Sequence, residues 1–364
     1  DIVMANAGIA TAGSVLAVDP AAFKTLIDVS VVGVFHTVRA ALPSVIDRRG
    51  YVLIVSSAAA YAASTLPARA RDSMELFLLL LVQGIANGCH YALLGLAFGL
   101  IFGTTNIVHF AFGALFTCSA YATWAAAALL GLPIIPAALV GVLTGGILGA
   151  LTYLLLYRPF EVKGAPIFVV MIASLGLGIL LENLIGILAS TDTKVLTEIE
   201  NTTHIVELGQ NMIFVNNLQI LQVVALVVVC VALYLFLRLT SYGKAILAMT
   251  DNPEMARIIG IDTFKVTLLV FVLGTAIAAI PAALILVKDG ATTSMGFNAV
   301  FVAFVAVIVG GVGSLPGAVL GGLLVGLIES IGMMGIATEW QSTIAFVVLF
   351  LVLVFRPTGL FKGT

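Results

Sequence analysis

Beyond Met74 the chain is a succession of long apolar runs separated by short polar breaks. About 20 consecutive apolar residues in a helix cross a hydrocarbon core. The runs over residues 76–102, 109–131, 133–157, 166–190, 218–237, 265–287, 298–313, 315–332 and 340–355 are the candidate spans. The two between 298 and 332 are short and share a Gly/Pro-rich junction, so they read either as two spans or as one broken helix, for a total of eight or nine. Glycines stand four apart at Gly84/Gly88, Gly95/Gly99/Gly103, Gly141/Gly145/Gly149, Gly313/Gly317/Gly321 and Gly322/Gly326. On a helix each such set lines one face and lets backbones approach closely. The fold class predicted for residues 74–364 is an all-α polytopic membrane domain.

The first 73 residues follow a different pattern. They hold six Lys/Arg and five Asp/Glu with ordinary alternation of apolar and polar positions. A short apolar run ends at Asn6-Ala7-Gly8, residues 23–42 have helical spacing, and Tyr51 to Val55 reads as a buried strand. This strand–helix–strand order predicts a truncated, Rossmann-like α/β fragment.

Composition agrees with the membrane reading. The 364 residues are 61% hydrophobic and 9% charged, where a soluble domain carries about 25% charged residues. A net charge of -2 offers no basic footprint for nucleic acid, and Cys89, Cys118 and Cys230 have neither disulfide nor metal spacing. No cofactor is expected.

Charge sets the orientation. Arg158 and Lys163, then Arg238, Lys244, Arg257 and Lys265, then Arg356 and Lys362, mark three segments for the cytoplasmic side. Residues 191–217 hold Asp192, Glu198, Glu200 and Glu207 against Lys194, and are placed outside together with residues 288–297. Returning Arg356 to the inside then favours nine crossings, and an N-terminus outside unless 76–131 contains a re-entrant piece.

Two sets of polar positions carry candidate chemistry. Between two spans on the basic side, Asn252 is placed to cap a short helix that Pro253 begins, with Glu254 to Ile259 as its body and Gly260 as its stop. A short helix lying along the membrane face suits a permease that receives force from a soluble motor. Glu182 and Glu329, with His90 and His109, interrupt apolar runs. Such groups face a cavity or a partner helix. Two isolated acids do not make a proton relay.

Two resemblances follow from these residues. Asn6-Ala7-Gly8, Gly33-Val34-Phe35, Arg39-Ala40-Ala41-Leu42-Pro43 and the strand ending at Ser56-Ser57 resemble the middle of a short-chain dehydrogenase, whose catalytic serine falls on Ser57. The Gly-rich nucleotide loop is missing. Pro67-Ala68-Arg69-Ala70-Arg71 stands where that family carries its Tyr and Lys, and Ser30 where it carries an asparagine. Without a phosphate cradle or an acid–base pair, residues 1–73 are expected to be non-functional, and the chain is expected not to be an enzyme.

Residues 74–364 resemble the LivH-type permease of branched-chain amino acid ABC importers. The resemblance rests on Gly88 with Tyr91-Ala92-Leu93-Leu94, Leu100-Ile101-Phe102-Gly103, Tyr157-Arg158-Pro159 and Ser174-Leu175-Gly176-Leu177. It continues through Gly243-Lys244-Ala245, Glu254-Met255-Ala256 and Gly260-Ile261. It closes with Gly310-Gly311-Val312-Gly313-Ser314-Leu315-Pro316-Gly317-Ala318, Gly321-Gly322, Glu329 and Arg356-Pro357-Thr358-Gly359-Leu360-Phe361.

The resemblance implies a multi-pass protein of the cell inner membrane. Its implied partners are a second homologous permease, two cytosolic ATP-binding subunits, an extracytoplasmic substrate-binding protein and membrane lipid. It makes the loop with Gly243, Lys244, Asn252, Glu254, Ala256, Gly260 and Ile261 the ATPase-docking element. His109, Phe112, Glu182 and Glu329 are the candidate translocation-pathway residues. The segment His109-Phe110-Ala111-Phe112-Gly113-Ala114 departs from the family's usual Asn-Phe-Ala-His-Gly-Glu, and Leu247 stands where the family usually has an Arg. Importers of this kind carry branched-chain and related amino acids, urea and amides. The competing reading is a free-standing secondary transporter or channel for a small organic solute. Gly310 to Gly317 lacks the Gly-Lys-Ser/Thr end of a phosphate loop, so ATP hydrolysis must come from partners. Calorimetric titration of the purified chain with NADH or NADPH is expected to show no binding in the micromolar range.

Overall fold

The computed structural model describes residues 2–5, 51–54, 70–196, 203–208, 211–335, 340–356 and 358–361. They fall into two compact units, Asp1–Met74 and Glu75–Thr364. In the first, strands β1 (Ile2–Ala5) and β2 (Tyr51–Ile54) pair in parallel, Ile2 opposite Tyr51. Parallel neighbours need a long crossover between them, as an α/β fragment requires. The helix expected over residues 23–42, Ser30, Ser57 and residues 67–69 lie outside the described residues.

The second unit is helical. Helices α1 (Ala70–Thr105), α2 (Phe112–Ala128) and α3 (Ile134–Thr152) come first, and α3 runs through a π-helical turn, Tyr153–Tyr157, into α4 (Arg158–Val162). Then follow α5 (Ile167–Ala189), strands β3 (Thr203–Leu208) and β4 (Asn211–Asn216), and α6 (Asn217–Leu239). The chain continues with α7 (Ser241–Asp251), α8 (Pro253–Ile258), α9 (Thr263–Asp289), α10 (Met295–Gly310), α11 (Leu315–Gly332) and α12 (Gln341–Phe355). Six helices among the described residues are long and apolar enough to cross a membrane: Leu76–Thr105, Ile134–Val162, Ile167–Ala189, Asn217–Leu239, Thr263–Asp289 and Leu315–Gly332. The protein is therefore a multi-pass membrane protein. α2, α10 and α12 are shorter apolar helices.

Each apolar run read from the sequence contains a helix. The run from 109 differs, because residues 106–111 leave the helix and α2 begins only at Phe112. Asn106 sits at φ 55 and turns the chain, while the Ile107 amide donates to Thr105 Oγ1 at 3.2 Å. Residues 298–332 form two helices packed on each other rather than one broken helix. Gly311 at φ +113 and Gly313 at φ +83 make the reversal, and Ser314 caps α11 by accepting from the Gly317 amide at 3.1 Å. Two elements were not anticipated: the β3–β4 hairpin in the 191–217 segment, and α7 ahead of Asn252.

Lipid tails are as apolar as leucine, so helix association depends on close packing rather than on hydrophobic gain. The glycine faces supply it. A side chain on Gly141 would run into Thr123 and Ser119 of α2, and one on Gly149 into Thr275 and Phe271 of α9. α3 thus lies tightly against both. Gly322 and Gly326 bring α11 onto the backbone of Ala92 and Gly88 in α1. Hydroxyls inside the bundle return to their own helix: Ser119, Thr123 and Thr275 each donate to the carbonyl four residues back, at 2.9, 2.9 and 2.7 Å. No polar atom of theirs is then left bare where water is absent.

Contacts across the sequence sort the loops into two ends. At one, Lys194 and Ala291 exchange both backbone hydrogen bonds, at 2.9 and 2.8 Å. There the Tyr121 hydroxyl donates to the Ala291 carbonyl and the Lys194 ammonium lies over the Trp124 ring. At the other end, Thr104 meets Thr250 at 3.3 Å, and the Leu360 and Phe361 amides donate to the Val309 and Gly310 carbonyls. This second end carries Arg238, Lys244, Arg257 and Arg356.

Gly326→Val drives a branched side chain into the Gly88 backbone. Overpacking of this kind costs about 1–3 kcal/mol and more where backbone must yield. Thermal unfolding in detergent is expected to show a clear loss for Gly326→Val. Gly176→Ala meets nothing within 4 Å and is expected to leave the transition unchanged or slightly raised.

Candidate functional site

The polar stretch between α6 and α9 folds as two short capped helices. Thr240 Oγ1 accepts from the Gly243 amide at 2.9 Å and opens α7. Asn252 Oδ1 accepts from the Met255 amide at 3.0 Å and opens α8, with Pro253 in its first turn and Glu254 near its positive end. Gly260 at φ +89 ends it, and its amide donates to the Arg257 carbonyl at 3.1 Å. Asp262 then caps α9 by accepting from the Lys265 amide at 3.3 Å, and its carboxylate pairs with the Lys265 ammonium at 3.1 Å. That ammonium holds the Asp262 carboxyl below its ordinary pKa. Gly243 and Ala256 are buried, whereas Lys244, Asn252, Glu254 and Gly260 are exposed and Ile261 is half-buried. Gly243 sits hard against the backbone of Phe236 and Leu237, so the end of α6 fixes the start of α7. Met255, Ile258 and Ile259 are exposed apolar side chains on α8 and its end.

The four residues singled out as pathway candidates are not gathered in one place. His109 and Phe112 are fully buried in an aromatic cluster. The His109 ring lies edge-on to Tyr157, Phe271 and Phe112 with centroids 5.4, 5.3 and 6.3 Å away. Tyr157 donates to Ser174 Oγ at 2.7 Å, which also accepts the Ala111 amide at 3.1 Å. With that proton used, the tyrosine oxygen accepts from His109 Nδ1 at 2.6 Å. The π-helical turn supports this network: the Arg158 amide bonds to the Tyr153 carbonyl five residues back, and Pro159 brings no amide to the ladder. Both Tyr153 and Tyr157 thereby face inward.

Glu182 and Glu329 line two different cavities. The Glu182 cavity, about 240 Å³, is walled by α1, α2, α5 and α10 and is apolar apart from Glu182, Thr117 and Thr293. The Glu329 cavity, about 450 Å³, opens at the end marked by Ala291. Asn87, His90 and Tyr91 of α1, Gln222 of α6, Lys288 of α9 and Asn298 of α10 supply much of its polar wall. Leu94, Phe116 and Ile285 give it an apolar side. Glu329 is 3% exposed, and the Tyr91 and Gln341 side chains hydrogen-bond its carboxylate. Phe301 borders both cavities. A third cavity, about 780 Å³, lies at the opposite, basic end beside Arg238, Asp251 and Ser314. Of the second cavity's polar wall, sequence reasoning noted His90 and Glu329 alone. The missed signal was the helical spacing of Asn87, His90, Tyr91 and Leu94, which lines one face of α1. Among the described residues no cluster of three His, Cys, Asp or Glu is placed to hold a metal.

Residues 80–353 match the family of branched-chain amino acid transport system permease components. The chain belongs to this permease family. Its relatives include the high-affinity branched-chain amino acid transport system permease protein BraD of Pseudomonas aeruginosa, 32% identical over 77% of this chain and 94% of that protein. The permease protein LivH of Escherichia coli K12 is 29% identical over 78% of this chain and 95% of its own length. The probable LivH of Methanocaldococcus jannaschii is 26% identical over 74% and 87%. Residues 1–67 separately match the short chain dehydrogenase family.

In this permease, the His109 network ties the α1–α2 turn to α3 and α5 through buried polar bonds. Tyr157→Phe removes the shared hydroxyl and strands His109 Nδ1. Leaving such a group unpaired in the interior costs about 1–3 kcal/mol. The expected result is a lower unfolding midpoint in detergent, with the exposed cap change Asn252→Ala costing about 1 kcal/mol.

Proposed function

We propose that the chain is the membrane-spanning permease subunit of an ABC importer for branched-chain or closely related amino acids. In this reading it works with a second homologous permease, two cytosolic ATP-binding subunits and an extracytoplasmic binding protein, in the cell inner membrane. The substrate class is carried over from the relatives, which are named for branched-chain amino acid transport. The observation that carries the coupling is the α7–α8 pair. It is rigidly started at Gly243, capped twice, and presents Met255, Ile258 and Ile259 at the basic end of the bundle. Exposed apolar side chains on a short fixed helix suit the surface of a soluble ATPase.

The proposed topology has nine crossings with α1 starting outside. It places Lys194, Ala291 and the β3–β4 hairpin outside and the α7–α8 pair inside, in line with the excess of Lys and Arg at that end. We assign no catalytic step to this chain: nucleotide hydrolysis belongs to the partners, and residues 1–73 take no part in transport.

Gly260→Pro forces φ from +89 to the proline range and removes the amide that bonds Arg257. The spans are untouched, so the variant is expected to insert and to assemble with its partners. In reconstituted vesicles, ATP hydrolysis is expected to lose its coupling to leucine uptake. Unchanged ATP-driven uptake in this variant, or full uptake without any ATPase subunit, would count against the importer reading and favour a carrier that works alone.

A further inference from the structure

The Glu329 cavity is a built site with unused bonding capacity. Glu329 is 97% buried by its 3% exposure, and its Oε2 has no hydrogen-bond partner. His90 is 6% exposed and its Nδ1 is equally unpartnered. Both side chains line the same cavity. A buried polar atom left without a partner costs free energy, so two in one chamber call for an occupant. Glu329 Oε2 is an acceptor, and so is His90 Nδ1 when the ring carries its proton on Nε2. Two acceptors, one of them a carboxylate, ask for a group rich in donors and positively charged. A primary ammonium, with three N–H donors, meets that demand.

The rest of the wall adds a second polar demand and an apolar one. Lys288, 3.8 Å from the Asp289 carboxylate that also lines the chamber, and the Asn298 amide offer donors. α10 opens beside the same chamber with no side-chain cap, its Met295 and Phe297 amides donating to the Thr292 and Ser294 carbonyls. Cation, amide donor and the positive end of α10 all favour a carboxylate. Leu94, Phe116 and Ile285 lie where an aliphatic group escapes water. About 450 Å³ falls within the range of small-ligand sites. One molecule with an ammonium, a carboxylate and an aliphatic branch uses all three surfaces.

We propose that this chamber, walled by helices of a single permease chain, binds the zwitterion of an aliphatic α-amino acid. Glu329 and His90 receive its ammonium, and Lys288, Asn298 and the start of α10 receive its carboxylate. The site rests on the importer reading and deepens it: each permease holds its own substrate position at the outer end. The Glu182 cavity is apolar and offers no such set of partners.

The test uses the full chain reconstituted with its partner subunits, and reads binding without ATP. Ser294→Cys puts a thiol on the exposed edge of the chamber at a side chain given no part in holding the ligand, while native Cys89 lies buried and outside it. L-leucine is expected to slow modification of that thiol by a small cationic methanethiosulfonate, relative to the unsubstituted chain. 3-Methylbutylamine, which lacks the carboxylate, and 4-methylpentanoate, which lacks the ammonium, are expected to protect much more weakly. Adding Glu329→Gln, which keeps shape and removes charge, is expected to weaken leucine protection by about tenfold or more, the loss of one charge-assisted hydrogen bond. It is expected to leave the weak protection by 4-methylpentanoate as it was, a selectivity that misfolding would not produce. Equal protection by all three solutes, protection by the amine alone, or undiminished leucine protection with Glu329→Gln would overturn the site. ATP-driven leucine uptake with no protection at Ser294→Cys would overturn the site and leave the importer standing. Protection without ATP-driven uptake would keep the site and remove the coupling.

Discussion

Everything in the second unit depends on how closely two helix backbones approach each other in a medium that gives no reward for burying leucine. In lipid the gain comes from packing and from internal satisfaction of polar groups. The seams where α3 meets α2 and α9, and where α11 meets α1, are glycine against backbone or hydroxyl. Neighbouring Ser119, Thr123 and Thr275 keep their hydroxyls on their own helices. This arrangement lets the polar wall of the Glu329 cavity exist at all. Seven helices converge there, and side chains such as Glu329 and Asn87 line one chamber.

The helices were largely legible because twenty apolar residues in a row have few other fates. Asn252, Pro253 and Gly260 marked the start and end of α8 through local chemistry alone, and the structure has that cap and that turn. α7 was not read, because its signal is the cap at Thr240 and not a change of hydrophobicity. The start of α2 was misplaced by a few residues, since Val108, Phe110 and Ala111 continue the apolar run while Asn106 turns the chain out of the helix. Composition does not record such a turn.

The site was less legible than the fold. His109 and Phe112 drew notice because a histidine in an apolar run is unusual, yet His109 lies inside an aromatic cluster, with Nδ1 held by Tyr157 48 residues away and Nε2 unpartnered. Glu329 stood out for the same reason, and there the unpartnered oxygen belongs to a side chain that lines a cavity. Sequence alone does not separate these cases, because the difference lies in which distant side chain occupies the neighbouring space. Likewise Gln222 and Asn298 look ordinary along the chain and acquire meaning only from the seven-helix enclosure.

The segment after α12 bears on how the protein is made. The Leu360 and Phe361 amides close on the Val309 and Gly310 carbonyls, groups that the end of α10 leaves open. Gly311 and Gly359 come close enough for their backbones to touch. Residues 358–361 are therefore the clasp of a helix translated some fifty residues earlier. Until they emerge from the ribosome, the α10–α11 reversal has no cover, and the end of α10 is settled only after α12 has been made.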